Sequence, residues 1–465
     1  MAKILDQKSS FYVLTVVVMG AFLIPYMGAA LNVSLPSIGR EFSLDLVILG
    51  WIPTSFILAN AALILPFGRL GDIYGRKKIF TAGISLFTFS SFMAFFSPSA
   101  TYLIVFSFLQ GVGCSMIFGT GVAILSSVFP LGSRGEYFGI YVTSVYIGLL
   151  AGPLLGGFLT QNFGWRSIFL FNIPIGLIIL ILIFLKVKTD WIGSKGENFD
   201  LKGTLVYVPA IIILLYGFTN VFSIYGQLLV ILGLLLLVGF IILELKTPKP
   251  IINPRIFKKL VPAISSASTL LMISSTSAIW TLISLYLQYI QSLSPVFVGI
   301  LLAIQPLTVA LLSPFAGKLS DRIYGAPIAL VGIILSSIGL LFSIFIGFGT
   351  SIIYIIVLAV ILGLGNALFS SPNTNIFMSS IDREFYGSAS AVMSTVIFTG
   401  QLLSLGILLL VFSGTLGGLE VVPSQFAAFI SSQKITFSIF FILSIIGTFL
   451  IFLLVLKKDR ETAYN

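Results

Sequence analysis

Long apolar stretches separated by short polar segments run through the whole chain. Most of these stretches reach about 20 residues or more, the helix length that crosses a hydrocarbon core roughly 30 Å thick. A transmembrane β-barrel would show strands of about ten residues with alternating polarity, whereas these stretches are longer and do not alternate. The pattern predicts an all-α polytopic membrane protein with fourteen spans near residues 11–37, 45–67, 78–97, 101–129, 136–161, 165–187, 201–219, 223–245, 262–290, 295–316, 325–347, 350–372, 386–412 and 435–456.

The composition supports lipid as the solvent of this chain. Of its 465 residues, 58% are hydrophobic and only 9% are charged, against about 25% charged in an average protein. Cys114 is the single cysteine and histidine is absent, so we expect no intrachain disulfide, no metal site and no cofactor. The first apolar run is too long for a cleavable signal and is predicted to be the first span.

The basic residues follow the predicted topology. The net charge of +10 could indicate a nucleic-acid partner, but 22 of the 25 Lys and Arg residues fall on the side of both termini. Only Arg40, Arg166 and Lys434 fall on the other side. The positive-inside rule explains this asymmetry and predicts cytoplasmic termini in the cell membrane. We therefore expect membrane lipid as a partner, and no nucleic acid.

Two polar segments repeat at one sequence offset. Residues 68–75 read Gly-Arg-Leu-Gly-Asp-Ile-Tyr-Gly and residues 317–325 read Gly-Lys-Leu-Ser-Asp-Arg-Ile-Tyr-Gly, which puts Asp72 and Asp321 249 residues apart. Arg134 and Arg383, each in a similar short segment, are separated by the same offset. The repeat predicts two six-helix bundles with a parallel pseudo-two-fold axis. Eight predicted spans separate the copies, so two extra helices lie between the halves. The predicted divisions are 1–187, 188–261 and 262–465.

Several segments together resemble one transporter family. Residues 68–78 (the signature segment, Gly-Arg-Leu-Gly-Asp-Ile-Tyr-Gly-Arg-Lys-Lys) resemble the loop between helices 2 and 3 of the major facilitator superfamily. Residues 148–157 (Gly-Leu-Leu-Ala-Gly-Pro-Leu-Leu-Gly-Gly) resemble the helix 5 motif of its exporters. Residues 32–36 and 165–176 resemble the fourteen-helix drug:proton antiporter branch. The resemblance implies the major facilitator fold and an efflux transporter rather than an enzyme.

Two positions depart from that branch. Met27 occupies the helix 1 position where the branch usually has an aspartate, and Ser107 occupies the helix 4 position where it usually has an arginine. The branch's acid and base are therefore not assigned to this chain. Proton coupling is implied only by the resemblance to the branch.

The repeated segments are expected to form a cytoplasmic gate. The glycines of the signature segment are expected to allow a tight turn. Asp72 is expected to face the helix start near residues 387–388, and Asp321 the start near residues 135–136, because a helix N-terminus favours an anion. The alternative is that the basic residues only set topology. The predicted gate residues are Gly68, Asp72, Gly75, Arg76, Arg134, Asp321 and Arg383.

The fifth span carries small residues on one face. Gly148, Gly152 and Gly156 recur every four residues, and small residues at this spacing let helices approach closely. Pro153 is expected to bend the helix, and Gly157 extends the motif. Static packing and a sliding surface between the halves are both compatible with this pattern.

The spans are poor in polar groups near their centres. No Asp, Glu, Lys or Arg lies near the centre of a predicted span, so a cationic substrate would find no counter-charge. A neutral or amphiphilic molecule held by amides and aromatic rings fits better. Each amide could equally serve helix–helix hydrogen bonding. The cavity candidates are Tyr26, Asn32, Asn60, Gln110, Gln305 and Gln401.

These observations predict a monomeric secondary transporter that exports a small neutral or amphiphilic molecule by alternating access. A metabolite importer or facilitator with the same fold is the second hypothesis. A membrane enzyme or a sensor is the third, and the missing histidine, central acids and soluble signalling domain all weigh against it.

Overall fold

The computed structural model describes residues 7–129, 134–194, 196–247, 257–322, 324–381, 386–416 and 422–463. Fourteen stretches in this part of the chain are long and apolar enough to cross a membrane. The helices are α1 (Gln7–Phe42), α2 (Leu46–Tyr74), α3 (Arg76–Phe95), α4 (Ala100–Val128), α5 (Arg134–Phe163), α6 (Ser167–Lys186), α7 (Leu201–Thr219), α8 (Ile224–Lys246), α9 (Leu260–Thr276), α10 (Ile279–Leu285), α11 (Pro295–Arg322), α12 (Gly325–Ser343), α13 (Ile352–Ser379), α14 (Tyr386–Leu416) and α15 (Phe426–Ala463).

Two groups of six spans pack in the same pattern. In the first half, α1 packs on α5 and α6, α2 packs on α4, and α3 packs on α4 and α6. In the second half, α9 packs on α14 and α15, α11 packs on α13, and α12 packs on α13 and α15. The halves meet along two seams, α5 with α11 and α2 with α14. The internal repeat relates α5 to α14 and α2 to α11, so each seam is the counterpart of the other. This is expected for two bundles related by a pseudo-two-fold axis.

One hydrogen bond joins equivalent positions of the two copies. Thr281 Oγ1 donates to Asn32 Oδ1 over 2.9 Å, and the two residues are 249 positions apart. This is the offset between Asp72 and Asp321. The copies therefore meet at matching positions, as residues close to a two-fold axis must.

The ninth span is broken near its middle. The end of α9 and the start of α10 are separated at residues 277–278, and a π-helical turn, Tyr286–Ile290, follows α10. At the break the Ala278 N–H donates to the buried Ser404 Oγ of α14 over 2.9 Å. A hydroxyl from another helix thus binds an amide that an uninterrupted helix would have bonded internally.

Several predicted boundaries differ from the observed helix ends, and two of them show why. The loop expected at residues 68–75 is helical up to Tyr74, and the chain turns only at Gly75, whose φ is 122°. The last span begins at Phe426, earlier than the predicted residue 435, because Ser432 and Gln433 lie buried inside helix α15. In both cases polar residues were interpreted as loop, although a helix satisfies its own backbone groups beyond the hydrocarbon core.

The extra pair α7 and α8 packs beside one seam. Helix α7 contacts both α2 and α14. Tyr207 Oη donates to the Ala61 carbonyl of α2 over 3.0 Å. A Cβ on Gly406 of α14 would lie 3.0 Å from Leu215 and 3.4 Å from Phe218. The inserted pair is therefore hydrogen-bonded to the first half and in apolar contact with the second.

Candidate transport pathway and gates

Hydrogen bonds close the bundle at the end opposite the signature segment. We call the end where α2 meets α3 the signature end, and the end where α1 meets α2 the opposite end. Ser284 Oγ donates to the Asn32 carbonyl (2.7 Å), and Gln288 Nε2 donates to the Val33 carbonyl (2.8 Å). Arg40 donates back to the Gln288 carbonyl (3.0 Å). Together with the bond between Asn32 and Thr281, these contacts tie α1 to the segment formed by α10 and the π turn.

Small residues close the seam between α5 and α11 at the same end. A Cβ on Gly157 would overlap the Pro295 carbonyl, and one on Gly299 would overlap the Pro153 carbonyl. The amide of Val296 also donates to Gln161 Oε1 over 3.1 Å. In the other seam, a Cβ on Gly50 would overlap the Leu409 side chain. Both seams are thus in close contact at the opposite end.

The glycine motif of α5 has two faces with different partners. A Cβ on Gly148 would lie 2.5 Å from the Phe22 carbonyl oxygen, one on Gly152 2.8 Å from that of Tyr26, and one on Gly156 2.7 Å from Ala30 Cα. These three glycines therefore pack α5 on α1 within the first half. Pro153 and Gly157 instead face α11 across the seam. The sequence did not distinguish these two roles.

The signature segment packs on α4. A Cβ on Gly68 would lie 3.3 Å from the Gly119 carbonyl oxygen, and one on Gly71 would lie 2.5 Å from the Thr120 side chain. Helical glycines at these positions allow α2 and α4 to approach closely. Close packing, rather than a turn, explains Gly68 and Gly71.

Asp72 and Arg76 form an ion pair at the signature end. Arg76 Nε donates to Asp72 Oδ1 over 2.7 Å, and a second guanidinium nitrogen lies 2.6 Å from the same oxygen. Arg76 also donates to the Ala123 carbonyl (2.8 Å) and to Ser127 Oγ (2.5 Å) of α4. All of these partners belong to the first half. We also expected Asp72 to contact residues 387–388. Their side chains are outside the described part of the chain, so this contact stays a prediction.

The side chains of the other predicted gate residues in the repeated segments are outside the described part of the chain. Arg134 is the first residue of α5 and Asp321 is the last but one of α11, but their side chains are not among the described ones. Arg383 lies outside the described residues altogether. Their assignment to the gate, and the predicted contact of Asp321 with residues 135–136, stay predictions.

Two cavity candidates are fully buried without a described partner. Tyr26 lies between the rings of Phe22 (5.8 Å) and Phe171 (4.8 Å), and its hydroxyl hydrogen-bonds to no described residue. Both polar atoms of the Asn60 amide are likewise buried and unbonded among the described residues. A buried polar group without a partner is costly, so both positions differ from ordinary helix–helix contacts.

The other candidates have mixed environments. The Gln110 amide donates to Ser91 Oγ over 2.7 Å and is buried between α3 and α4, which matches the helix-packing alternative. Asn32 belongs to the closed opposite end. Gln305 and Gln401 are half-buried, on α11 and α14.

The position that departs from the antiporter branch has a polar neighbour. Asn172 Nδ2 lies 3.1 Å from the Met27 sulfur and donates to it, and both residues are buried between α6 and α1. A thioether is a weak acceptor. An amide donor thus faces the position where the branch usually has an aspartate.

Sequence reasoning missed several residues at these contacts. The set contains Thr281, Ser284 and Ser404. Thr281 could have been found, because it lies at the repeat offset from Asn32. The others were not detectable, since their partners come from helices or segments far away in the sequence.

Comparison with known proteins identifies the class of this transporter. The sequence profile of the Major Facilitator Superfamily matches residues 17–246 and 265–465. This match covers both halves and the inserted pair, and it agrees with the all-α fold. The chain belongs to the Major Facilitator Superfamily, and it is a membrane transporter rather than an enzyme.

Curated relatives are similar over most of their length. The riboflavin transporter RibZ of Clostridioides difficile is 29% identical over 392 residues, covering 84% of this chain and 85% of RibZ. The multidrug resistance protein Stp of Mycobacterium tuberculosis is 30% identical over 399 residues, covering 84% of this chain and 73% of Stp. The uncharacterized MFS-type transporter YcnB of Bacillus subtilis is 25% identical over 450 residues, covering 96% of this chain and 94% of YcnB.

Proposed function

We propose that this protein exports a small neutral or amphiphilic molecule across the cell membrane by alternating access. The single observation that supports this most is the position of the contacts between the halves. The bonds that Ser284 and Gln288 donate to the carbonyls of α1 lie at the opposite end, and so do the glycine contacts of α5 with α11. A conformation closed at one end is one of the two states that alternating access requires.

The orientation follows from charge. The signature end carries most of the basic residues, so we take it and both termini as cytoplasmic. The described conformation is then sealed towards the outside. Transport requires the bonds between α1 and the α10 segment to break while the signature end closes.

The distribution of charge supports the substrate class. Apart from Lys434, the ninth residue of α15, each charged residue of the fourteen spans lies near an end of its helix. A cation in the middle of the membrane would have no carboxylate to pair with. Gln305 and Gln401 are half-buried on the seam helices α11 and α14, and the polar groups of Tyr26 and Asn60 bond to no described residue. Such groups suit a neutral molecule with hydrogen-bonding groups.

Export is supported by two likenesses. Residues 148–157 resemble the exporter motif, and one relative is named a multidrug resistance protein. We treat the protein as a monomer in contact with lipid, with proton coupling as a further variable of the test below.

The gate proposal concerns Asp72, Arg76 and their counterparts in the second half. The described partners of the Asp72 and Arg76 side chains belong to the first half. Closing this end would bring the pair, and Arg134, Asp321 and Arg383, to the facing half. Asp72→Asn should reduce flux at least about tenfold without loss of folding, and unchanged flux would contradict the gate.

Purified protein in proteoliposomes tests the substrate class. Riboflavin, a neutral planar molecule with a polar tail, serves as the neutral probe, and a permanent dication serves as the matched charged probe. We expect saturable flux of neutral or amphiphilic probes, and none of the dication, at pH gradients of either sign. Strong dication flux that depends on no carboxylate would contradict the neutral-substrate proposal.

A facilitator or importer is the second candidate. A metabolite substrate is consistent with the likeness to a riboflavin transporter. Met27 and Ser107, which occupy the positions of the branch's acid and base, favour a mechanism without proton coupling. Counterflow without a pH gradient separates the two. Rapid counterflow of the substrate, with no accumulation under an imposed pH gradient, would favour the facilitator. Accumulation of the substrate driven by that gradient would favour the coupled exporter.

A further inference from the structure

The segment that leads from α6 towards α7 lies on the turn between α2 and α3. We call residues 187–194 the strap. The amides of Gly193 and Ser194 donate to the Asp72 carbonyl over 3.0 and 2.9 Å, and Arg69 donates to Ser194 Oγ over 3.3 Å. The Lys77 ammonium also donates to the Val187 carbonyl at the start of the strap. Both ends of the strap therefore contact the signature segment.

The strap caps helix α3 from outside. The first amides of any helix lack internal partners, and the N-cap residue of α3, Gly75, has no side chain to supply one. Here the Arg76 N–H donates to the Trp191 carbonyl over 2.9 Å. The Lys77 N–H donates to Asp190 Oδ1 over 2.9 Å. Asp190 thus performs the role that an N-cap carboxylate has in other helices, and its negative charge favours the helix start.

The turn is shaped to receive this carboxylate. Gly75 has a φ of 122°, and a Cβ at this position would overlap the Asp190 carboxylate. Glycine is therefore needed at the turn both for its backbone conformation and for the space that Asp190 occupies. Asp190 Oδ1 also accepts the Trp191 N–H over 2.8 Å, which orients the carboxylate.

The capped residue is a member of the gate pair. Arg76 is the first residue of α3. Its amide is bonded to the strap, and its guanidinium is bonded to Asp72, Ala123 and Ser127. A shift of the start of α3 would therefore move the guanidinium away from Asp72. The strap holds both members, because it also binds the Asp72 carbonyl.

We infer that Asp190 is a positioning residue of the cytoplasmic gate, which aligns the Asp72 and Arg76 pair by capping α3 from the strap. This inference rests on the proposed gate function of that pair. The strap would then not only connect the first half to the inserted helices but also position the gate pair. Asp190 need not touch the substrate, because it acts through the backbone of residues 75–77.

The first test is hydrogen exchange of the detergent-purified full-length protein, read by mass spectrometry on peptides that cover residues 73–80. Asp190→Ala removes both the acceptor and the charge, and we expect roughly tenfold faster exchange of these amides, the order of effect of losing a helix cap. Asp190→Asn keeps an acceptor oxygen and should give a smaller increase. Unchanged exchange in Asp190→Ala would overturn the inference.

Asp200→Ala is the matched control. Asp200 follows the strap, and its Oδ1 accepts the Gly203 N–H over 2.9 Å at the start of α7. This variant should accelerate exchange at the start of α7 and leave residues 73–80 unchanged. An equal effect of both variants on residues 73–80 would indicate general loosening and would contradict the specific role of Asp190.

Flux of the same probes in proteoliposomes separates this inference from the gate proposal. If Asp72→Asn and Asp190→Ala both reduce flux, with Asp190→Asn partly restoring it and Asp200→Ala active, the inference is supported. If Asp72→Asn reduces flux but Asp190→Ala does not, positioning by Asp190 is wrong and the gate stands. If neither reduces flux while exchange rises, the cap is real, the gate proposal fails, and the role inferred for Asp190 in it fails too.

Discussion

The two seams between the halves are equivalent by the internal repeat, yet they are built differently. Between α5 and α11 backbone meets backbone, because Gly157 lies on the Pro295 carbonyl and Gly299 lies on the Pro153 carbonyl. Between α2 and α14 a side chain fills the gap, with Leu409 over Gly50. The glycines of the first seam meet backbone atoms that cannot move aside, whereas a leucine can change rotamer.

The surroundings of the seams differ as well. Helix α7 contacts both members of the α2 and α14 seam, and the Trp51 and Tyr216 rings lie 6.1 Å apart beside it. On the helices of the other seam, by contrast, large side chains are exposed: the exposed fraction is 50% for Phe158 of α5 and 60% for Leu311 of α11. The insertion of two helices therefore breaks a symmetry that the repeat created. We expect the α5 and α11 seam to be the more sensitive to added volume.

The largest effect is expected from Gly157→Leu. A leucine side chain cannot fit against the Pro295 carbonyl, so the opposite end should be forced apart, at a cost of about 1–3 kcal/mol or more. We expect at least tenfold lower flux. In a Cys114→Ser background, a cysteine replacing the buried Ser284 should become more reactive towards a hydrophilic maleimide.

Phe158→Leu is the control for this substitution, because Phe158 is the next residue of α5 and is exposed. It should change neither flux nor labelling. Normal flux with unchanged labelling in Gly157→Leu would contradict the close backbone contact in this seam.

Gly152→Leu places the same volume on the other face of α5. A Cβ there would lie 2.6 Å from Ala29 Cβ and 2.8 Å from the Tyr26 carbonyl oxygen, both within the first half. We expect a lower thermal midpoint, corresponding to about 1–3 kcal/mol, with less change in labelling at position 284 than Gly157→Leu causes. If flux and thermal stability both survive, the packing role of Gly152 is wrong.

Gly50→Ala should have a smaller effect, because the overlapping atom is the end of the flexible Leu409 side chain. We expect a loss of stability of about 1 kcal/mol and a modest reduction in flux. Leu409→Ala frees the space, so the double variant should be less impaired than the two single effects added together. Strict additivity in this double-mutant cycle would mean that the two residues do not share the contact.

The smallest effect is expected from Tyr207→Phe. This change removes only the hydrogen bond to the Ala61 carbonyl, worth about 1 kcal/mol or less, and leaves the apolar packing of α7. Thermal unfolding should shift slightly and flux should not change. A tenfold loss of flux would show that α7 takes part in the motion of its seam.

The local sequence pattern was sufficient to predict part of this architecture. Span number follows from apolar length, and the internal repeat follows from two matches at one offset. The turn at Gly75 was also predicted, but Gly68 and Gly71 were assigned to the same loop and proved to be packing residues on α4. A glycine in a sequence does not reveal whether it serves a turn or a close approach, since both need the missing Cβ.

The amides show the same limit. Gln110, Asn32 and Asn60 were indistinguishable as polar residues in apolar spans, yet one bonds to Ser91, one closes the opposite end and one is buried without a described partner. Their roles depend on which helix face meets which neighbour. Periodicity defines the face of a helix but does not identify the helix that packs against it.

By itself the sequence determined the solvent, the number of spans, the duplication and the family resemblance, because these depend on composition and on patterns along one stretch of chain. Only the tertiary structure decided which residues close the opposite end, how each seam is filled, and that a strap from beyond α6 caps α3. Those features arise between residues such as Lys77 and Asp190, which are far apart in the chain and meet only when the helices have packed.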